Sequence, residues 1–196
     1  MPLVSVNVLV SNWKAFEKLK IFAAYCPGSY FSDVRLTYPL SFADYESARS
    51  TNEPMTVHMY RIPLPGGLPP VQQLRAGRYD LLGTSFEQFE RNIREQLGAM
   101  LGEGGFEPAR DIKAITVNRW PHGYSTGWDT KSEDFSESSE RPDVQTHWFK
   151  GRKQFGRIAI ANSDAGASAM TESAIEQGFR ATQELLQGWG RSKVPE

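Results

Sequence analysis

The first residues of the chain alternate strictly between two kinds of side chain. Valine occupies every second position from Val4 to Val10, and the run ends at Asn12 and Trp13. β-branched residues with a period of two are typical of a strand that buries one face. We therefore predict a strand at the very start of the sequence. It lacks the basic and apolar regions of an export signal, and this abrupt opening suggests the later part of a longer protein.

The next hundred residues predict two further strands separated by turns. Residues 20–54 contain Pro27, Gly28, Pro39 and Pro54 and support only short extended pieces. Residues 55–62 predict a strand. Residues 63–70, with four prolines and two glycines, exclude both a helix and a central strand and predict a rigid loop. Residues 111–120 predict another strand, which ends at Pro121.

From Thr84 onward the apolar period changes to three and four, which predicts one long amphipathic helix. Thr84 and Glu87 form a capping box, and the glycines of residues 102–105 supply the stop. Core packing is the favoured interpretation of its apolar stripe, ahead of a cofactor-binding role. The stripe consists of Phe86, Phe89, Ile93, Leu97, Met100 and Leu101.

The last ordered stretch predicts a strand, a loop and a helix. Residues 157–161 (RIAIA) read as a short buried strand and residues 162–168 as a loop of small polar residues. The helix that follows would expose its N-terminus, which favours an anion or an electron-rich carbonyl group, and Gly178 would let it lie close on a sheet. On pattern alone, ligand binding here stays open. The predicted buried face comprises Ala174, Ile175, Gly178, Phe179, Thr182, Leu185 and Leu186.

Composition excludes several classes of function. The 196 residues are 39% hydrophobic and carry a formal net charge of -1, so no basic field attracts nucleic acid. No apolar run approaches the ~20 residues that a membrane-spanning helix needs. Cys26 is the only cysteine, which rules out an internal disulfide. Residues 127–142 are rich in serine and acidic residues, and a solvated surface loop is favoured over a site for a cationic substrate.

One turn gathers side chains that carry chemistry. Trp120, His122 and Tyr124 surround Pro121 and Gly123 at the end of a predicted strand, and such turns often hold binding sites. The alternative is that the aromatic residues are core and the histidine is an ordinary hydrogen-bonding group. His58 and His147 are far away in sequence without the spacing of metal ligands, so no metal site is predicted.

Four segments resemble the C-terminal half of flavin-dependent spermidine dehydrogenases, members of the flavin amine oxidase family. They are PLVSVNVLVSNWKAF, EQLGAMLGEGGFEPARDI, DIKAITVNRWPHGYS and FGRIAIANSDAGASAMTESAIEQGFRATQEL. Together they extend over nearly the whole chain.

The resemblance implies an α+β fold that is part of a two-domain flavoenzyme. Residues 1–124 would form a portion of the substrate domain, with a mixed or antiparallel sheet. Residues 125–147 would be an acidic, serine-rich loop, and residues 148–196 a strand and helix that complete a FAD-binding domain.

The resemblance also implies a reaction and its residues. Hydride would pass from an amine carbon to FAD. The residues implied at the flavin are Asn162, Ser163, Asp164, Ala169, Met170 and Thr171. Trp120, Gly123 and Tyr124 would bind the amine, and His122 and Tyr124 would be catalytic.

The sequence departs from the family at two places. It contains no G-x-G-x-x-G, the motif that binds the pyrophosphate of a dinucleotide, and Ser125 leads from Tyr124 directly into the acidic segment. This chain alone is therefore not expected to hold FAD, and it would work either beside a separately encoded N-terminal half or as an incomplete copy. The competing hypothesis is a non-catalytic remnant or binding module that keeps the scaffold without turnover.

Overall fold

The computed structural model describes residues 1–124 and 147–191, so the predicted acidic loop lies outside the described residues. The chain divides into two compact units, Met1–Gly123 and Tyr124–Glu196. Within the described residues the fold is α+β, with one five-stranded antiparallel sheet and seven α-helices. No helix among them is long and apolar enough to span a membrane.

The first unit contains the whole sheet, with strand order β2-β3-β4-β1-β5. The strands are β1 (Leu3–Val10), β2 (Ala23–Tyr25), β3 (Asp33–Leu36), β4 (Met55–Arg61) and β5 (Ile112–Trp120). Every pair of neighbours is antiparallel. The three long strands predicted from the sequence are confirmed, and the short extended pieces predicted in residues 20–54 include β2 and β3.

The core lies on one face of this sheet. Val6 of β1 is fully buried and pairs with Met59 on one side and with Val117 on the other. Helix α3 (Phe86–Leu101) buries Phe89, Ile93 and Leu97 in the same core. The predicted period of valines thus identifies the covered face of the sheet, and the predicted core role of the α3 stripe is confirmed at these positions.

Helix α3 begins one residue later than the capping box predicted. Its N-cap is Ser85, whose side chain accepts a hydrogen bond from the N–H of Gln88. Thr84 instead closes the preceding helix, because its Oγ1 donates to the carbonyl of Asp80 at 2.7 Å. The predicted box was wrong by one position because Thr84 and Ser85 have equivalent hydroxyls and Thr84 is engaged elsewhere.

Three shorter helices of the first unit were not predicted. Helix α1 (Lys14–Leu19) follows β1, helix α2 (Pro70–Gly83) follows the proline-rich loop, and helix α4 (Pro108–Asp111) precedes β5. Only Gly77 and Leu81 of α2 are buried, so the apolar period that marks α3 is absent from α2. Pro70 stands at its first position, where the missing N–H costs no helical hydrogen bond.

The second unit is helical in its described part, with α5 (His147–Gly151), α6 (Ser163–Gly166) and α7 (Thr171–Arg191). The strand predicted over residues 157–161 is wrong. Phe155 and Ile158 exchange two backbone hydrogen bonds across a tight turn, and this isolated bridge is the β-structure described there. Gly156, with φ of 56°, has the positive φ that a tight turn requires. A strand forms only beside another strand, and none lies beside these residues in the described part of the chain.

The helix predicted after this segment is confirmed, but its predicted buried face is not. Ile175, Phe179 and Leu186 of α7 are exposed, while Gln177 and Ala181 are buried. A Cβ atom at Gly178 would meet no described atom within 4 Å, so this glycine permits no close approach here. The side chain of Ser173 instead lies against Gly166 of α6, whose added Cβ would be 2.2 Å from Ser173 Oγ.

Candidate functional site

The face of the sheet opposite the core carries polar side chains in register, and we call it the polar face. One row crosses all five strands, because Ala23 pairs with Arg35, Arg35 with His58, His58 with Asn7, and Asn7 with Thr116. Directly opposed residues lie about 5 Å apart, and side chains on one face recur at every second position. The neighbouring row on the same face contains Tyr25, Asp33, Tyr60, Ser5 and Asn118.

A hydrogen-bond relay fixes the orientation of His58. Its Nδ1 lies 2.8 Å from Asn7 Oδ1, and Asn7 Nδ2 donates to Thr116 Oγ1 at 3.5 Å. Because an amide oxygen only accepts, Nδ1 of His58 carries the proton, and Nε2 of the neutral ring is an acceptor. Burial and the charge of Arg35 lower the pKa of His58 below its ordinary 6.5, against the opposing effect of Asp33. His58 is therefore neutral at physiological pH.

The charged neighbours of His58 are paired with each other. Arg35 Nε lies 3.3 Å from Asp33 Oδ1, and the Arg35 guanidinium is 5.7 Å from the centroid of the Tyr60 ring. The Tyr60 ring meets the His58 ring nearly edge-on, with centroids 4.4 Å apart. The polar face thus offers the neutral acceptor Nε2 of His58 to a ligand. The Tyr60 ring lies beside His58, and the nearby pair of Arg35 and Asp33 has no net charge.

The turn predicted as a substrate site lies at the end of β5. Trp120 is exposed and two positions beyond Asn118, so strand alternation places it on the polar face. His122 is exposed as well. Gly123 is buried, and its N–H donates to the carbonyl of Met1 at 2.7 Å. Tyr124 is exposed, and its backbone has a φ of 60°, a value that residues other than glycine seldom adopt.

The residues predicted at the flavin surround α6 and the start of α7. Asn162 has φ 85° and ψ 167°, a region essentially reserved for glycine, and its Oδ1 accepts from the N–H of Ser163 at 2.6 Å. Asp164 is in the first turn of α6. Ala169, Met170 and Thr171 are exposed at the N-terminus of α7. A strained backbone conformation of this kind is found more often at functional sites than elsewhere.

Arg180 of α7 organises the rest of this unit. Its guanidinium donates to Gln177 Oε1 at 2.9 Å, to Glu184 Oε1 at 2.6 Å and to the carbonyl of Ile160. It also donates to the carbonyl of Arg152 at 3.3 Å. These bonds attach Arg152 and Ile160 to α7. The bond to Ile160 also occupies the carbonyl that a strand there would use to pair with a neighbouring strand.

The structure groups the predicted residues by unit. Trp120, His122 and Gly123 belong to the first unit, and Tyr124 to Thr171 belong to the second. The sequence analysis missed the relay of Asn7, His58 and Thr116 on the polar face. The alternation that located β1 pointed to Asn7 on the other face, since the residues between the buried positions of a strand share that face.

The described residues offer no site for a metal ion, and the cavity of the first unit does not favour an ionic ligand. Within residues 1–124 and 147–191, no group of three or more His, Cys, Asp or Glu residues is placed to hold a metal ion. A cavity of about 250 Å³ lies beside Arg61, Pro63 and Asp80. Arg61 Nη2 contacts Asp80 Oδ2 at 3.0 Å, so this pair has no net charge with which to attract an ionic ligand.

Comparison of the sequence with protein-family models and with curated proteins finds no match.

Proposed function

We propose that this chain is the C-terminal portion of a FAD-dependent amine oxidoreductase acting on a polyamine such as spermidine. Asp164 and the N-terminus of α7 would hold FAD, which would supply an acceptor for the hydride of the carbon next to the amine nitrogen and for the negative charge that the hydride brings. The imine product would then hydrolyse to an aldehyde. This chain would contribute residues that orient the amine and stabilise that charge.

The exposed tip of α7 is the observation that carries the proposal. The first intrahelical bond described there runs from the N–H of Ala174 to the carbonyl of Met170, so the N–H groups of Thr171, Glu172 and Ser173 precede the helical ladder. Ala169, Met170 and Thr171 are exposed and leave this end accessible. A helix of 21 residues concentrates a partial positive charge at such an end. The tip therefore fits an electron-rich heterocycle, while the carboxylate of Glu172 in its first turn partly offsets the positive charge.

The polar face supports an amine as substrate. An aromatic surface at Trp120 and the acceptor Nε2 of His58 are the groups that hold an alkyl chain and an N–H donor. Burial, which with the charge of Arg35 lowers the pKa of His58 against the effect of Asp33, would likewise favour a neutral amine over an ammonium ion. The neutral amine is the form that can lose a hydride.

The second candidate function is a non-catalytic remnant or binding module. The observation that favours it is the missing G-x-G-x-x-G, because the chain lacks the motif that binds the pyrophosphate of FAD. A remnant would keep the sheet and helices and have no turnover. The two candidates differ in whether a complete complex is yellow and is reduced by an amine.

The test is reconstitution. The full chain is co-expressed with the N-terminal, G-x-G-x-x-G-bearing half of a spermidine dehydrogenase, and the purified complex is examined by absorbance. We expect a flavin spectrum that bleaches when spermidine is added under anaerobic conditions. A colourless complex that takes up no FAD would support the remnant instead.

Asp164→Ala tests the flavin assignment in that complex. We expect FAD retention to fall about tenfold or more, because the carboxylate would have accepted a hydrogen bond from the cofactor. The matched control is Glu176→Ala, which removes an exposed carboxylate further along α7 and should leave FAD affinity unchanged. Equal FAD affinity in the two variants would remove Asp164 from the site.

A further inference from the structure

The backbone nitrogen of Ser163 lies against the side-chain amide of the residue before it. The N–H of Ser163 donates to Asn162 Oδ1 at 2.6 Å. A backbone N–H only donates, so the atom that it meets is the amide oxygen and not the amide nitrogen. The carbon bonded to this oxygen, Cγ, therefore lies within about 4 Å of the Ser163 nitrogen. A nucleophilic atom and an electrophilic carbon held this close are near the geometry of reaction.

A second donor acts on the same oxygen. Ser163 Oγ donates to Asn162 Oδ1 at 3.2 Å. Hydrogen bonds to an amide oxygen draw electrons from its carbon, and they stabilise the negative charge that develops on the oxygen when a nucleophile adds to that carbon. The residue that supplies the attacking nitrogen therefore also activates the amide of Asn162.

The backbone of Asn162 is strained, and the residue is exposed to water. Its φ of 85° and ψ of 167° fall in a region that is essentially reserved for glycine. A reaction that lengthens the main chain by one carbon at this residue would release the strain. The exposure of Asn162 gives water and dissolved base access to its amide.

The other five asparagines of the chain are followed by residues larger than serine, whose bulk beside the nitrogen hinders its attack. They are Asn7, Asn12, Asn52, Asn92 and Asn118. The N–H groups that follow Asn12 and Asn52 donate instead to the carbonyls of Thr51 and Ser50, each at 3.0 Å. The remaining three asparagines lie within β1, α3 and β5, where regular hydrogen bonds hold the backbone. These differences distinguish Asn162 from the rest.

We propose that Asn162 is a site of spontaneous deamidation, through a succinimide formed with the backbone nitrogen of Ser163. The nitrogen gives its proton to solvent base and forms a bond to Cγ. The bond from Cγ to Nδ2 then breaks, and Nδ2 leaves as ammonia after taking a proton from solvent. Water opens the succinimide at either carbonyl carbon. Opening at Cγ gives aspartate, and opening at the main-chain carbonyl carbon gives isoaspartate, in which the main chain runs through the former side chain.

Either product places a carboxylate where a neutral amide capped α6. Isoaspartate also adds a methylene group to the main chain, so position 162 no longer has to adopt a conformation suited to glycine. The loss of ammonia to solvent makes the change lasting. The inference depends on the contacts of Asn162 and Ser163 and is independent of the proposed function.

Peptide mapping by mass spectrometry tests the inference on the full chain. The purified protein is incubated in mildly alkaline buffer, and the conversion of all six asparagines is followed with a fragmentation method that distinguishes isoaspartate from aspartate. We expect Asn162 to react at least about tenfold faster than each of the other five and to give both products. A rate at Asn162 no higher than at the others, or aspartate without isoaspartate, would overturn the proposal.

Matched variants test the two contacts at Oδ1. Ser163→Ala keeps the attacking N–H and removes the hydroxyl, so it should slow deamidation about threefold or more. Ser168→Ala, at another partly exposed serine of the same segment, should leave the rate unchanged. Asn162→Gln should abolish conversion at this position, because its longer side chain would have to close a six-membered ring. Equal rates in the two serine variants would overturn the activating role of the hydroxyl.

Unfolding the full chain in urea separates the effect of the fold from that of the local sequence. Unfolding removes the contacts that hold the Ser163 nitrogen and hydroxyl at Oδ1, so Asn162 should react more slowly in urea than in the folded chain. Faster reaction in urea would show that the fold protects the amide of Asn162, and it would overturn the proposal.

Discussion

At the scale of single residues, Asp111 is the most highly connected carboxylate of the first unit. Arg110 donates to both of its oxygens, at 2.8 and 2.7 Å, and the N–H of Glu107 donates at 2.8 Å. Ser11 Oγ donates at 3.4 Å, which links the segment after β1 to the residues before β5. The hydrogen bonds from Arg110 contribute most to lowering the pKa of Asp111 to about 2, and burial opposes them.

This pKa gives a prediction about acid stability. A carboxyl whose pKa falls from 3.8 to about 2 on folding stabilises the protein by about 2 kcal/mol above pH 3.8, and the contribution is lost as the pH falls toward 2. Asp111→Asn should therefore lower the free energy of unfolding by about 2 kcal/mol at pH 7 and by much less at pH 2, measured by urea denaturation. The control Glu107→Gln alters an exposed partner of Arg110 and should cost under about 0.5 kcal/mol. Equal losses at both pH values would contradict this role.

The pKa of His58 gives a second residue-scale prediction. A histidine whose pKa is lowered on folding contributes stability that is complete above 6.5 and declines as the pH falls, because the unfolded chain takes up the proton first. In an NMR titration, His58 should titrate below 6.5. Arg35→Gln should raise its pKa and Asp33→Asn should lower it, since these two groups act in opposite directions. Shifts of the same sign would show that the ion pair does not govern the ring.

At the scale of elements, the contact between α2 and the proline-rich loop depends on one glycine. A Cβ added to Gly77 would lie 2.0 Å from the backbone oxygen of Pro63 and 2.7 Å from Pro2 Cγ. The loop backbone therefore touches the helix backbone at this point. Such proximity explains how a helix with little apolar period is held in place.

A pair of alanine substitutions in this helix tests the contact. Gly77→Ala should lower the free energy of unfolding by about 3 kcal/mol, because backbone must move to admit the methyl group. Gly83→Ala, in the same helix, meets no described atom within 4 Å and should be neutral or stabilising by up to about 1 kcal/mol. Thermal or urea unfolding measures both. Similar effects of the two substitutions would mean that helix propensity, and not the close approach, sets the outcome.

At the scale of the whole molecule, the two units differ in how much they bury. The hydrophobic core cluster lies entirely in the first unit, from Val4 to Ile112. The second unit buries two alanines and a glutamine among its described side chains. Described residues that bury so little apolar surface offset little of the entropy of ordering their chain, so the first unit should be the independently stable one.

Truncation tests this difference. A fragment of residues 1–124 should unfold cooperatively in urea, with most of the stability of the first unit in the full chain. A fragment of residues 147–196 should show a broad transition with little slope, because few apolar groups become exposed when it unfolds. A cooperative transition in the second fragment would contradict the scarcity of buried apolar side chains among its described residues.

The sequence by itself determined the helices and strands whose apolar residues recur with a regular period within the segment. The valines of β1 and the apolar stripe of α3 each specify one buried face, and both elements formed, although α3 begins one residue later than its capping box predicted. The polar face followed from the same period, although the relay from Asn7 to His58 needed the register of strands 51 residues apart. No local pattern encodes that register.

Only the tertiary structure decided whether residues 157–161 form a strand and which face of α7 is buried. The RIAIA pattern has the propensity of a strand, but a strand exists only where a neighbour accepts its hydrogen bonds, and Arg180 took the Ile160 carbonyl instead. The α7 stripe has the period of a buried face, yet burial requires a surface that covers it, and Ile175 and Phe179 remain exposed. Period and propensity are properties of the segment itself. Pairing and burial are properties of what lies beside it.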